Sequence, residues 1–210
     1  MRRAFLTAGA LALLALVGAA PAAARGHDRP RAYGAAPDWR ALITDTDRDR
    51  LRGWRDAWTE ALAAVRAAGD GPLLDAEGVL LKPDAALVPP AAPDGAYRCR
   101  VFKLGARDPG GRVFSVSPAQ ACRIGGGRFT MIDGVQRPAG RLWADDGTRL
   151  VFLGAMALGD ERGRLGYGRD HDRDMVGVLE RIGPRRWRLV LPRPHWQSLI
   201  DVIELRPAGG

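Results

Sequence analysis

The densest set of side chains able to do chemistry lies between residues 159 and 174. Asp160, Glu161, Tyr167, Arg169, Asp170, Arg173 and Asp174 all fall in that stretch. Carboxylates, a phenol and guanidinium groups brought together can grip a polar ligand. Two carboxyl groups flanking a cleft at roughly 5–10 Å would instead suit glycoside hydrolysis. The stretch runs between two strong strand candidates, 150–158 and 175–182, so it is expected to be a loop at a sheet end, where functional loops concentrate. These seven residues form the candidate binding set. The alternative is a long solvated hairpin connection.

Other constellations are weaker. Asp170-x-Asp172-x-Asp174 surrounds His171, and on an extended strand its acids would face one way and suit a hard cation. Arg169 and Arg173 neutralise it locally, however, and no turn glycine follows in register. Asp45-x-Asp47-x-Asp49 has alternating acids, but an EF-hand loop needs Gly at its sixth place and Glu at its twelfth, where Arg50 and Asp56 stand. Those acids sit where a helix N-terminus favours negative charge. The histidines are His27, His171 and His195, and no H-E-x-x-H pattern exists. His195, Ser198 and Asp201 are close in sequence but lack a Gly-x-Ser-x-Gly elbow. Gly125-Gly126-Gly127 lacks the following Lys of a phosphate loop. No catalytic residue, metal ligand or cofactor is assigned.

The elements that must position these groups follow from periodicity. Leu51, Trp54, Trp58, Leu62 and Val65 recur at spacings of three and four, which predicts an amphipathic helix over 47–68. Thr44, Asp45 and Thr46 are N-cap candidates, and Gly69-Asp70-Gly71-Pro72 ends the helix. Val79-Leu80-Leu81 reads as a short strand, and 83–93 as a Pro/Ala-rich linker or extended cover. From Ala96 the pattern changes to strands: 97–103, 112–117, 119–124, 128–132, 139–143, 150–158, 175–182, 186–191 and 199–205. Asp145-Asp146-Gly147 is a hairpin turn signal, 175–182 pairs with 186–191 across Gly183-Pro184, and 195–198 suits one helical turn. The expected fold is α+β and mostly β: an N-terminal amphipathic helix packed on an antiparallel β-barrel or sandwich, with lipocalin-like geometry as the first guess.

The N-terminus bears on compartment. Arg2 and Arg3 precede an apolar run over 5–20, and Ala22, Ala23 and Ala24 offer small residues for cleavage, the pattern of a secretory signal over 1–24. Arg2-Arg3-Ala4-Phe5-Leu6 also has the core of a twin-arginine address, without the usual Ser or Thr before it. A flexible leader over 25–38 and one globular domain over 39–210 follow. No later stretch is apolar enough to span a bilayer. In an exported chain the two cysteines, Cys99 and Cys122, pair as a disulfide. It would close a loop of about 24 residues and contribute roughly 3 kcal/mol in the chain-entropy model.

The net charge is +8, and removal of Arg2 and Arg3 lowers it to +6. The arginines alternate with acids, as in Asp47-Arg48-Asp49-Arg50, which predicts a mixed, solvated surface and no nucleic-acid partner.

One family resemblance emerges. It rests on Asp38-Trp39-Arg40, Leu51-Arg52-x-Trp54-Arg55, Tyr97-Arg98-Cys99-Arg100-Val101, Cys122-Arg123-Ile124, Gln136-Arg137-Pro138 and Leu150-Val151-Phe152-Leu153-Gly154. It continues through Leu158-Gly159-Asp160-Glu161, Tyr167-Gly168-Arg169-Asp170, Leu179-Glu180-Arg181-Ile182-Gly183, Trp187-Arg188-Leu189-Val190-Leu191-Pro192 and Asp201-Val202-Ile203-Glu204-Leu205. The chain resembles the secreted alphaproteobacterial proteins filed as domain of unknown function 4893. That resemblance implies export and one domain, and transfers no activity or functional residue. The first expectation for function is a non-enzymatic periplasmic or secreted binding or inhibitory module, with a small molecule or envelope component as partner. The alternatives are an envelope hydrolase using the 159–174 carboxylates, or a structural protein holding anionic polymers through Arg181, Arg185, Arg186, Arg188 and Arg193.

Overall fold

The computed structural model describes residues 38–161, 163 and 165–209. The expected signal segment and most of the leader lie outside the described residues. Helices α1 (Trp39–Leu42), α2 (Asp45–Arg52), α3 (Trp54–Ala67) and α4 (Gly71–Ala76) and a 3₁₀ turn (Gly78–Leu81) precede nine strands. These are β1 (Gly95–Ala106), β2 (Phe114–Val116), β3 (Gln120–Gly125), β4 (Arg128–Met131), β5 (Gln136–Ala144), β6 (Leu150–Leu158), β7 (Asp174–Gly183), β8 (Arg186–Pro192) and β9 (Ser198–Pro207).

All pairings are antiparallel, and β1 pairs with β3 over its first half and with β9 over most of its length, so β1 and β3–β9 close an eight-stranded barrel. The short β2 continues beside β1 where β3 ends. Closure excludes the sandwich alternative and gives every barrel strand two partners, which removes the exposed edge.

Strand alternation separates two faces. Inward positions carry Tyr97, Cys99, Cys122, Ile124, Phe129, Met131, Leu142, Phe152, Met175, Leu179, Leu189 and Leu205, all buried in one cluster. Phe129 and Phe152 meet edge to face at 6.1 Å, as do Tyr97 and Trp187. Side chains therefore occupy the interior. Gly140 and Gly154, paired across β5 and β6, let Phe152 lie over them. A Cβ on Gly140 would meet the Leu153 carbonyl oxygen at 2.3 Å and the Phe152 ring at 2.7 Å. The Cys99–Cys122 disulfide forms inside this core, with Cα atoms 6.0 Å apart.

Part of the outer face is covered by the helices. Leu51, Trp54, Trp58, Leu62 and Val65 pack with outward Phe102, Leu104, Val176, Val178, Val190 and Val202. Each large side chain buried there contributes about 1.5–3 kcal/mol.

The expected 47–68 helix is two helices. Gly53 ends α2, its N–H bonding Asp49 O at 3.0 Å, and starts α3. Thr44 caps α2, its side chain accepting the Asp47 N–H, so the alternating acids are first-turn residues. The expected strand at Val79-Leu80-Leu81 is the 3₁₀ turn; Leu80 and Leu81 are buried, and the carbonyls of Leu80 and Lys82 accept from Arg188 instead of a neighbouring strand. Residues 83–93 form an extended cover, bridged to β7 through Leu87 and Arg181. The expected turn at 195–198 is a bend, and Ser198 already belongs to β9. Among the described residues, no helix is long and apolar enough to cross a membrane.

Candidate functional site

The connection from β6 to β7 leaves the barrel end and folds back along its outer wall. Two anchors hold it. Tyr167 donates its hydroxyl hydrogen to Asp47 Oδ2 at 2.7 Å and accepts the Thr44 N–H at 3.1 Å. Gly168 donates its N–H to Asp174 Oδ1 at 2.8 Å, while His171 Nδ1 lies 3.2 Å from Asp174 Oδ2.

These anchors join a buried polar cluster. Arg50 donates to Asp47 Oδ1 at 2.6 Å and to the Pro192 carbonyl through Nε and Nη2. His195 Nε2 is 3.4 Å from Arg50 Nη1. A guanidinium only donates, so Nε2 accepts and this contact uses the neutral imidazole tautomer. Burial and then Arg50 push the His195 pKa down, in the same sense. Burial raises the Asp174 carboxyl, with a smaller push from Asp47, against the Gly168 and His171 bonds. Burial pushes the Tyr167 phenol up to about 12, so it stays a neutral donor at physiological pH. The cluster locks the loop to α2.

The anchored loop encloses a cleft of about 220 Å³ on the outer wall. Its floor is Ala139, Gly140, Leu153 and Gly154 from β5 and β6, with Trp143 beside them; its sides are Leu42 of α1, Leu165–Gly168 of the loop, and Arg128 and Arg141. Helix α1 is held over the cleft by Arg40, which pairs with Asp145 at 2.6 Å in the β5–β6 turn. The Arg141 guanidinium stacks 4.6 Å from the Trp143 ring. The Trp143 indole N–H has no acceptor among the described residues.

Of the seven candidate residues, Tyr167 alone lines this cleft. Asp174 is buried beneath the loop as an anchor. Glu161 accepts from Arg173 at 2.8 Å and from the Leu158 N–H, which hold its carboxyl at about 2. Asp170 lies 3.9 Å from Arg173. Asp160 and Arg169 are exposed. Asp170 and Asp172 belong to the turn before β7 and only Asp174 begins that strand, so the three acids do not share an extended strand, and among the described residues no group of three His, Cys, Asp or Glu side chains converges as a metal site. His195, Ser198 and Asp201 do not form a triad: Ser198 donates directly to Asp201, which also takes Lys103 at 3.1 Å, whereas His195 faces Arg50.

A second opening of about 410 Å³ is lined by Lys103 and Ser115, paired across β1 and β2, and by the loop residues Asp108, Gly111, Arg112 and Gln197. Lys103 is already neutralised there by Asp201.

The arginine set expected to hold polymers is engaged in the fold. Arg188 is fully buried against Glu180 and Trp58. Arg186 binds Glu204, Arg193 binds Glu60, Arg181 binds the Val88 and Pro89 carbonyls, and Arg185 the Gly209 carbonyl. Buried Glu204 also takes Arg100 and Arg206, and they hold its carboxyl low although burial opposes this. The residues that sequence reading did not assign to the site are Asp47, Arg50, Arg128, Arg141 and Trp143. The available signal was Asp47, a charge on the apolar helix stripe that continues through Leu51, Trp54 and Trp58.

Comparisons with curated proteins and with solved structures returned no match. Residues 39–205 match the family described as Domain of unknown function (DUF4893), and the chain belongs to that family.

Proposed function

We propose that this chain is exported by its N-terminal segment and acts as a non-catalytic binding module. Its ligand is a small carboxylate with an apolar body, held in the cleft beside Tyr167. The observation that carries this reading is the composition of the cleft: an apolar floor of strand residues with two guanidinium groups, Arg128 and Arg141, at its side and no carboxylate among its described lining residues. An oxyanion pairs with guanidinium groups in bidentate fashion while its apolar part covers the floor. Strands hold geometry better than loops, and the floor of this cleft is built on β5 and β6, whereas four of the six residues lining the larger opening, Asp108, Gly111, Arg112 and Gln197, lie in loops. Among the described residues, no pair of acids lies across this cleft to support the carboxylate-based hydrolase reading.

The test is a thermal-shift series with acetate, butyrate, benzoate and octanoate at constant ionic strength. Benzoate and octanoate are expected to raise Tm in a saturable way, and Leu165→Glu, which places a carboxylate on the rim, to abolish the shift. No shift with any acid, or an equal shift in Leu165→Glu, would overturn the reading. Export is tested separately by fusing residues 1–37 to a reporter that is active only outside the cytoplasm; a reporter retained inside argues against it.

A further inference from the structure

The outer wall of the barrel is not uniform. Helices cover β7, β8, β9 and the second half of β1, and the arginines on that side have acidic or carbonyl partners. Beyond Glu204 the pattern changes. Arg98, Arg123, Arg128 and Arg141 occupy outward positions on β1, β3, β4 and β5, four successive strands of the barrel. All four are exposed. Among the described residues none is within ion-pair distance of a carboxylate; Arg98 reaches only the Ala119 carbonyl at 3.4 Å, and Arg141 lies over Trp143. The outward residues of β3, β4 and β5 include no Asp or Glu. Acids near this side sit at the turns, as Asp94 does in accepting the Gly126 N–H. The mixed surface expected from sequence therefore gives way here to a single-sign band.

We infer that this band binds a flexible linear polyanion. Strands lie about 4.8 Å apart, so the four guanidinium positions span about 14 Å across the strands, around the curve of the wall. A flexible chain follows that curve, whereas a flat bilayer meets only its crest. Guanidinium groups suit repeated phosphate or carboxylate groups through bidentate bonding. Single-stranded nucleic acid is recognised with aromatic stacking platforms between the cations, but here Ala121 and Thr130 lie between the arginines.

The experiment uses Arg98→Gln/Arg123→Gln, both outside the Tyr167 cleft, so its outcome is independent of the carboxylate reading. Binding of fluorescein-labelled linear polyphosphate is followed by anisotropy from 20 to 200 mM salt. Wild type is expected to bind with affinity that falls steeply with salt. The double variant should bind roughly ten-fold more weakly, with a log–log salt slope shallower by about two. Arg48→Gln/Arg52→Gln on α2 removes the same charge elsewhere and should stay within about two-fold of wild type. The inference is overturned if wild type does not bind, or if the α2 variant loses as much affinity. It is equally overturned if anionic phosphatidylglycerol vesicles or oligo-dT of matched charge bind more tightly than polyphosphate.

Discussion

Arg188 offers the sharpest test of how the fold is held. It sits on β8 with no solvent exposure, donates to Glu180 at 2.8 Å, and reaches the carbonyls of Leu80, Lys82 and Pro83 at 2.6–2.9 Å. Its guanidinium lies 4.4 Å from the Trp58 ring. Arg188→Met keeps the apolar stem but leaves buried Glu180 without a counter-charge and three carbonyls without a donor. Breaking a buried pair from one side costs about 3–5 kcal/mol. At about 2–4 °C per kcal/mol for a chain of this size, Tm should fall by about 6–20 °C. Urea unfolding gives the free energy and calorimetry the Tm. Arg188→Met/Glu180→Leu removes both charges and should recover the part of the loss that comes from the orphan carboxylate, leaving the cost of the three carbonyls. Arg193→Met breaks an ion pair with Glu60 whose partners are 46% and 51% exposed, and should cost less than about 1 kcal/mol. The reasoning fails if Arg188→Met costs no more than Arg193→Met, or if the double variant is no more stable than the single one.

Three further outcomes follow from the site and core. Asp174 has a raised carboxyl, so its ionisation opposes folding, and this cost grows as pH rises above its ordinary value of 3.8. Asp174→Asn, which still accepts from Gly168, should gain stability relative to wild type from pH 4 to 8 and none near pH 3.5; a pH-independent difference in thermal scans would contradict this. Tyr167→Phe removes a hydrogen bond to a buried carboxylate and should cost about 1.5–3 kcal/mol, with faster hydrogen exchange at residues 165–170. Unchanged exchange there would mean that Tyr167 is not the anchor. Cys99→Ser/Cys122→Ser should lower unfolding free energy by roughly 3 kcal/mol, whereas equal stability with and without the disulfide in urea titrations would refute that figure.

Much of the barrel was legible because β-strands report themselves locally. Trp187, Leu189 and Leu191 alternate with polar or outward residues, and the Gly183-Pro184 turn already sets Glu180 opposite Arg188. The 3₁₀ turn was not legible, because Val79-Leu80-Leu81 is an apolar run whose shape depends on Arg188, more than a hundred residues away. The site was legible only in part. Its loop was visible as a polar stretch between strands, but the cleft needs Leu42, Trp143 and Arg141 from separate elements. The polar cluster joins Asp47, Arg50, Tyr167, Asp174 and His195, which no spacing rule connects.

The same limit explains the charge pattern. Along the chain, arginines and acids alternate closely enough to predict neutralisation everywhere. Folding sorts them by strand parity and by helix cover. Acids on the helix-covered side, such as Glu180 and Glu204, are buried and require arginines, so those arginines contribute structure rather than surface potential. On β3, β4 and β5 the outward positions lack acids, so Arg123, Arg128 and Arg141 remain as uncompensated charge. An arginine-rich composition thus splits into two physical roles on one barrel face. Only the second is available to a ligand, which is why the polyanion test removes Arg98 and Arg123 and leaves Arg186 and Arg188 in place.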